Sequence, residues 1–324
     1  MKYPKVTIFV PVKNGERTLK KCIDSLLKLD YQKKEIWIID NMSTDSTPDI
    51  LKSYGKEIIW ERMEGKVPKL HNCVLRKVKT KFLAYTNADC IVKKDWLKRL
   101  IEGFDSGDIV ATAGYFGTPK DVDKLQLLIG REMEERFKKF PKYITRAPDA
   151  NLCVRSDIAK KVKFNENFFW SWESDFGYRL TKKGKMKYIP EAVVYHYHRS
   201  TWKGFFKQQF NNGKATPLLF LTKKKEKVVG DYISTFDMGL RLTSVYLFVG
   251  FLFMSLLLKQ SLFLSLLSLM LFLFLTIKDS IKLANDFSEF IYYLGIFFTR
   301  TLAWMVGIPI GFIYTVNKYY FKTR

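Results

Sequence analysis

Ile36-Trp37-Ile38-Ile39 runs straight into Asp40-Asn41-Met42-Ser43-Thr44-Asp45, and Phe82-Leu83-Ala84-Tyr85-Thr86 runs into Asn87-Ala88-Asp89. Each is a short apolar run closed by a carboxylate. Apolar runs without alternation fit strands of a parallel sheet covered on both faces. In open α/β sheets ligands bind just beyond the carboxyl ends of such strands, where strand order reverses. A carboxylate placed there can hold a hard divalent cation or the polar face of a nucleotide. These two stretches therefore set the expectation for both fold and chemistry.

Around these two stretches, strands are expected over Val6–Val10, Glu35–Ile39, Ile58–Trp60, Phe82–Thr86 and Ile109–Ala113. Helices are expected between them at Arg17–Leu29, Ser46–Tyr54, Lys69–Val78 and Lys94–Glu102. This alternation reads as βαβ units and a mostly parallel, Rossmann-like sheet. Farther on, Lys124–Phe140 reads as a charged helix, Ala150–Val154 as a strand and Glu173–Lys183 as a helix stopped by Gly184. Met186–Ile189 and Ala192–Tyr197 read as extended, and Ser200–Asn212 as a helix rich in Phe and Lys.

The chain then changes solvent. Leu242–Leu258 and Ser261–Ile277 carry no charge, and each is near the lower limit of the ~17–25 residues that cross a bilayer. Lys259-Gln260 between them makes a helical hairpin. Residues 290–316 are also apolar but contain Arg300, Gly307, Pro309 and Gly311, which fits a third span or an interfacial helix. The expected division is 1–230 for an α/β domain and 231–324 for an α-helical membrane region. Two crossings would leave Lys278, Lys282, Lys318, Lys322 and Arg324 on the side of the basic domain, as the positive-inside rule favours.

The formal charge is +23, from 55 Lys+Arg against 32 Asp+Glu. Such a charge calls for an anionic partner or surface. With an apolar tail present, the cytoplasmic leaflet explains it best. A membrane-tethered binder of nucleic acid or acidic polymer, without catalysis, is the rival. It is disfavoured because carboxylates at strand ends would repel phosphates, so no nucleic acid partner is expected. Four scattered cysteines with no Cys-x-x-Cys argue against a zinc site and a disulfide scaffold. Val6–Val10 is too short for a signal-peptide core and runs directly into Pro11, so no N-terminal signal peptide is expected.

Several side chains could carry chemistry. Asp40 could accept from a base imide or a ribose hydroxyl, or simply cap a turn. Asp89 could hold Mg²⁺ or Mn²⁺ against a diphosphate, with Asn87 offering a neutral oxygen beside it. Glu173 and Asp175 open a helix flanked by Trp170 and Trp172. Apolar walls would raise a carboxylate pKa there and make it a better base, while the helix dipole alone would also welcome acids. His196 and His198 share one face of an extended segment, a weak metal signal. Lys66, Lys69 and His71 could touch a diphosphate. Gln208-Gln209 could hold phosphate or acceptor, though a solvated helix face explains them as well.

Taken in order, Val10-Pro11-Val12-Lys13-Asn14, Ile39–Asp45, Thr86-Asn87-Ala88-Asp89-Cys90, Ala150-Asn151, Glu173-Ser174-Asp175-Phe176-Gly177-Tyr178-Arg179-Leu180, Tyr195-His196-Tyr197-His198 and Gln208-Gln209-Phe210 resemble a family 2 glycosyltransferase with the GT-A fold. The resemblance covers roughly residues 5–215. It implies inverting transfer from a UDP- or GDP-sugar, usually with Mg²⁺ or Mn²⁺. It puts Pro11 at the start of the donor pocket wall and Asp40 on the nucleoside, and Asn14, Lys69 and Asn87 are the further candidates for donor binding. Asp89 becomes the metal ligand as second acid of an Asp-x-Asp whose first place Asn87 takes. Glu173 stands at the catalytic acid position with Asp175 beside it. His196 falls at a metal or diphosphate position, and Gln209 in a stretch that contacts acceptor or diphosphate. With the apolar tail, the expectation is a multi-pass cell-membrane enzyme with its catalytic domain cytoplasmic. Its acceptor would be a lipid-linked or cell-surface glycan, or else polyprenyl (dolichyl) phosphate, which would make it a sugar-phosphate synthase.

Overall fold

The structure is a computed structural model that describes residues 3–222 and 230–317. Two compact units emerge: Met1–Asp121 with Met133–Tyr197, and Val122–Glu132 with His198–Arg324.

The first unit is built on β1 (Val6–Val12), β2 (Lys34–Asp40), β3 (Ile59–Arg62), β4 (Phe82–Tyr85), β5 (Cys90–Val92), β6 (Ile109–Gly117), β7 (Tyr143–Ile144), β8 (Leu152–Arg155) and β9 (Lys185–His196). The order across the sheet is β3-β2-β1-β4-β8-β6-β9-β5, with β7 on β9. β3, β2, β1 and β4 run parallel, as do β6 and β9. β8 lies antiparallel between β4 and β6, and β5 and β7 pair antiparallel with β9. The Rossmann-like parallel half is the one expected. β1 is buried along nearly its whole length, which is why its sequence is apolar at successive positions rather than alternating.

The helices α1 (Leu19–Leu27), α2 (Thr47–Ser53), α3 (Val67–Lys77) and α4 (Trp96–Glu102) follow the early strands. Pro48 and Pro68 occupy first-turn positions, where the missing N–H costs nothing. After β8 come α6 (Ser156–Val162) and α7 (Trp172–Leu180), and α5 (Lys124–Phe137) follows β6. Trp96 is fully buried, and its Nε1 donates to Asn151 Oδ1 at 2.8 Å. Asn151 Nδ2 in turn donates to the carbonyls of Tyr115 and Ala192, locking the turn before β8 onto β6 and β9. A Cβ on Gly114 would fall 2.0 Å from the Ala192 carbonyl oxygen, so only glycine fits there.

The second unit holds residues 122–132 of α5 together with α8 (Trp202–Thr222), α9 (Phe236–Met254), α10 (Ser261–Leu283) and α11 (Phe287–Val316). The last three are long and apolar enough to cross a membrane. Most of their exposed residues are aliphatic or aromatic, with Phe253 69% and Phe263 70% exposed, as suits contact with lipid. The first of these helices starts earlier than the charge-free window, at Phe236, and Arg241 sits inside it paired with Asp279 at 2.6 Å. The second runs on to Leu283, carrying Asp279 with it. Residues 290–316 belong to one unbroken helix of 30 residues, about 45 Å long. Arg300 within it is met by Glu132, Nη1 to Oε1 3.1 Å and Nη2 to Oε2 2.8 Å, both side chains almost fully buried. Leu125, Leu128, Ile129, Phe205, Tyr293, Ile296 and Phe297 form the core around it. Farther along, α11 meets α8 through glycines. A Cβ on Gly307 would lie 2.6 Å from the Phe210 carbonyl, and one on Gly311 2.1 Å from that of Lys214. Lys318, Lys322 and Arg324 lie outside the described residues.

Candidate active site

Three loops at the carboxyl ends of β1, β2 and β3 are bound into one clasp. Asn41 N–H donates to the Val12 carbonyl at 2.7 Å. Asn14, in the left-handed region at φ 52°, accepts from Thr44 N–H at its Oδ1 (2.9 Å), and its own N–H donates to Ser43 Oγ (2.8 Å). Asp40 is fully buried. Its Oδ1 accepts from Ser43 N–H at 2.9 Å, and its Oδ2 lies 2.9 Å from Arg62 Nε. Asn41 closes the far side by exchanging hydrogen bonds with the Gly65 backbone, 2.8 and 3.1 Å. Asp40 is thus engaged by its own turn and by Arg62, while Asn14 is exposed at the rim. Pro11 is half-buried near the end of β1, and Lys69 is exposed on the first turn of α3.

Beyond β4, the pairing of β5 with β9 sets Cys90 opposite His196. Asp89 precedes that pair and accepts Tyr197 N–H at its carbonyl, 2.9 Å. As a result Asp89 Oδ2 and His196 Nε2 stand 3.5 Å apart, and ligand atoms of Asp89, Cys90 and His196 lie within 4.8 Å of one another. Burial, and then the charge of Asp89, push the Cys90 thiol well above its usual pKa, so it stays protonated and is a poor ligand. A carboxylate and an imidazole remain, both half-exposed and convergent. That donor set fits a divalent ion such as Mg²⁺ or Mn²⁺, with water and donor oxygens completing the shell.

A third group of side chains is centred on α7. Glu173 lies in its first turn, half-buried. Burial, and next the charge of Asp149, push its carboxyl up to about 8. Asp149 sits on a short turn just before β8, 6% exposed, and its Oδ2 accepts from Trp172 Nε1 at 2.9 Å. His71 Nε2 is 3.2 Å from the same oxygen, and Asn87 also bonds to this carboxylate. Burial works against the charge on Asp149, but these three partners outweigh it and hold its pKa below the usual value. Asp175 is engaged within α7 itself. It is buried and receives Arg179 Nε at 2.9 Å and Nη2 at 2.6 Å, an i, i+4 pair along that helix.

The fold thus brings Asp89 to His196, and through Asn87 it reaches the Asp149–Glu173 neighbourhood. Gln209, in the second unit, is buried and accepts from Trp304 Nε1 at 3.2 Å. His198, also there, is mostly buried and its carbonyl accepts from Gln126 Nε2 at 2.7 Å. Asp149 and Arg146 escape a reading of the sequence. Pro148-Asp149 looks like an ordinary turn, and the partner His71 lies on a helix far earlier in the chain.

The profile of glycosyl transferase family 2 matches residues 7–167. A curated relative is the dolichyl N-acetyl-alpha-D-glucosaminyl phosphate 3-beta-D-2,3-diacetamido-2,3-dideoxy-beta-D-glucuronosyltransferase of Methanococcus voltae, 25% identical over 238 residues, 66% of this chain and 73% of that protein. An uncharacterised glycosyltransferase of Rickettsia prowazekii is 22% identical over 203 residues, 59% of this chain, and the match spans 63% of its own length. Among solved structures, the mannosyltransferase PcManGT from Pyrobaculum calidifontis, in complex with GDP-Man and Mn²⁺, superposes with a TM-score of 0.58 at 14% identity. That superposition covers 99% of this chain and 89% of the other, and it is a likeness of fold.

Proposed function

Since residues 7–167 place this chain in glycosyl transferase family 2, we propose that it is a membrane-anchored enzyme that moves a sugar from a UDP- or GDP-sugar to a lipid-linked acceptor, with inversion at the anomeric carbon. The observation that carries the reading is the convergence of Asp89 and His196 at 3.5 Å beyond the end of β4. These two residues would hold Mg²⁺ or Mn²⁺, which when bound supplies charge neutralisation for the departing nucleoside diphosphate.

The other roles belong to the chain itself. The clasp of Pro11, Asn14 and Asp40 forms the wall against which the nucleoside rests, with Lys69 and Asn87 facing the diphosphate. Glu173 takes the proton from an acceptor hydroxyl as its oxygen attacks the face opposite the leaving group. Gln209 is assigned to the acceptor or diphosphate on the sequence resemblance alone. Asp175, bound to Arg179, supports α7 rather than the proton transfer. The catalytic unit works on the cytoplasmic side, held there by α9, α10 and α11.

Between the two acceptor classes, the raised pKa of Glu173 favours a hydroxyl. A polyprenyl phosphate is already ionised at neutral pH and needs little help from a base. The Methanococcus relative is named for a dolichyl-linked sugar phosphate, which agrees with a lipid-linked sugar. The test is a panel of nucleotide sugars given to the purified full chain with Mn²⁺, offered in turn a polyprenyl-phosphate-linked sugar and polyprenyl phosphate alone. Transfer to the lipid-linked sugar supports the reading. Transfer only to the bare phosphate would replace it with the synthase, and no turnover of any donor would remove it.

A further inference from the structure

The neighbourhood of Glu173 holds a set of contacts that the transfer chemistry has not used. Asp149 Oδ2 receives Trp172 Nε1 at 2.9 Å and faces His71 Nε2 at 3.2 Å. His71 is fully buried, boxed by the rings of Phe164, Tyr85 and Phe9 with centroids at 4.4, 5.0 and 5.1 Å. It is therefore a fixed post and not a surface base. Asn151, two residues after Asp149, is anchored by three hydrogen bonds to Trp96, Tyr115 and Ala192, so the turn carrying Asp149 is equally rigid. On the other side of the contact, Ser171 adopts φ 57°, ψ 23°, a left-handed conformation unfavourable for a residue with a Cβ. Such a conformation persists where the surroundings over-determine it, and it clusters at functional sites. Here it aims Trp172 at Asp149 and opens the helix on Glu173.

We propose that Asp149, fixed by His71, is a positioning residue for the transfer reaction: it tethers the Trp172 indole, and through it holds Glu173 at the entrance of α7 where the acceptor proton is to be removed. The inference rests on Glu173 being the base. It also assigns a purpose to a buried His–Asp pair that would otherwise be a costly way to fill a core. The charged groups that face Glu173 are Asp149 and Arg146. Asp149 raises the Glu173 pKa, and the weaker influence of Arg146 lowers it. Replacing the Asp149 charge while keeping its shape should therefore ease deprotonation of Glu173. The acid limb of the rate profile would then move to lower pH.

The experiment uses the full-length chain in detergent with its donor, Mn²⁺ and acceptor. Asp149→Asn keeps an oxygen for Trp172 and removes the charge. Trp172→Phe keeps a ring and removes the tether. Donor-sugar KM, kcat and the pH profile are measured for both, with thermal unfolding as the check on folding. For Trp172→Phe the expected result is a kcat loss on the order of 10²-fold at unchanged donor KM. For Asp149→Asn it is an acid limb displaced toward lower pH. Folded variants with wild-type kcat and a wild-type pH profile would overturn the inference. Should Asp149→Asn fail to fold, Trp172→Phe alone decides it. Glu173→Gln, run alongside, separates the two levels: if it keeps full rate the base assignment is lost, whereas if it is inactive while the other two behave as wild type, only the positioning role is lost.

Discussion

Asp89 and His196 are remote from each other in the sequence, and the antiparallel register of β5 on β9 sets them side by side. The carboxylate is legible in the sequence, because a strand of four buried apolar residues points directly at it. The imidazole is not legible from residue physics, since a His-x-His in an extended segment gives no clue to its partner across the sheet. Asp149 is invisible for a related reason: its importance comes from His71 and Trp172, both remote in sequence. Among single residues the sharpest consequence concerns Glu173. Its carboxyl titrates near 8, above the usual value, so it is protonated and unable to accept a proton at lower pH. The transfer rate should therefore climb as pH rises through about 8, instead of levelling off near 5 as with an ordinary carboxylate. A rate profile flat from pH 6 to pH 9 would contradict this. Glu173→Gln should cost about 10²–10⁴-fold in kcat, measured in the same assay.

Elements differ in how plainly their sequences declare them, and the reasons are physical. β1, β2 and β4 are central, buried and apolar, so composition alone locates them. β5 and β7 are three and two residues long and are held by pairing with β9 rather than by propensity. β9 runs through Pro190-Glu191, a pair that breaks the pattern of apolar residues and makes one strand look like two. The first two apolar helices take in residues beyond their charge-free windows, and the charges inside the three find partners: Arg241 with Asp279, and Arg300 with Glu132. Removing one member of a buried pair leaves an uncompensated charge, at a cost of about 3–5 kcal/mol, whereas an apolar pair of similar volume is often neutral. Arg300→Met should accordingly lower the unfolding temperature of the detergent-solubilised chain, and Glu132→Leu with Arg300→Met should recover most of the loss. An additive double variant would show that the pair contributes nothing as a pair.

The whole chain combines a Rossmann-like sheet with three long apolar helices and a formal charge of +23. Two sources of membrane affinity follow, and they separate by salt. Charge attraction to an anionic leaflet falls within a Debye length of about 8 Å at physiological ionic strength and is suppressed further by added salt. Burial in lipid of exposed apolar side chains such as Phe253 and Phe263 would be insensitive to it. Membranes washed with concentrated salt or alkaline carbonate should therefore retain the protein, and detergent should release it. Release by salt alone would mean that α9, α10 and α11 do not cross the bilayer. The same charge makes a nucleic-acid binder the natural rival, and that rival predicts steeply salt-dependent binding with no turnover of a nucleotide sugar.

Above all, Asp89 with His196 is proposed to hold the divalent ion at which the nucleoside diphosphate departs. The decisive assay is Mn²⁺-dependent sugar transfer by wild type and by Asp89→Ala, both purified in detergent and both shown to be folded and membrane-inserted. Wild-type transfer should stop on chelation and return with Mn²⁺, and Asp89→Ala should be inactive at every Mn²⁺ concentration. An Asp89→Ala enzyme turning over at the wild-type rate would contradict the assignment.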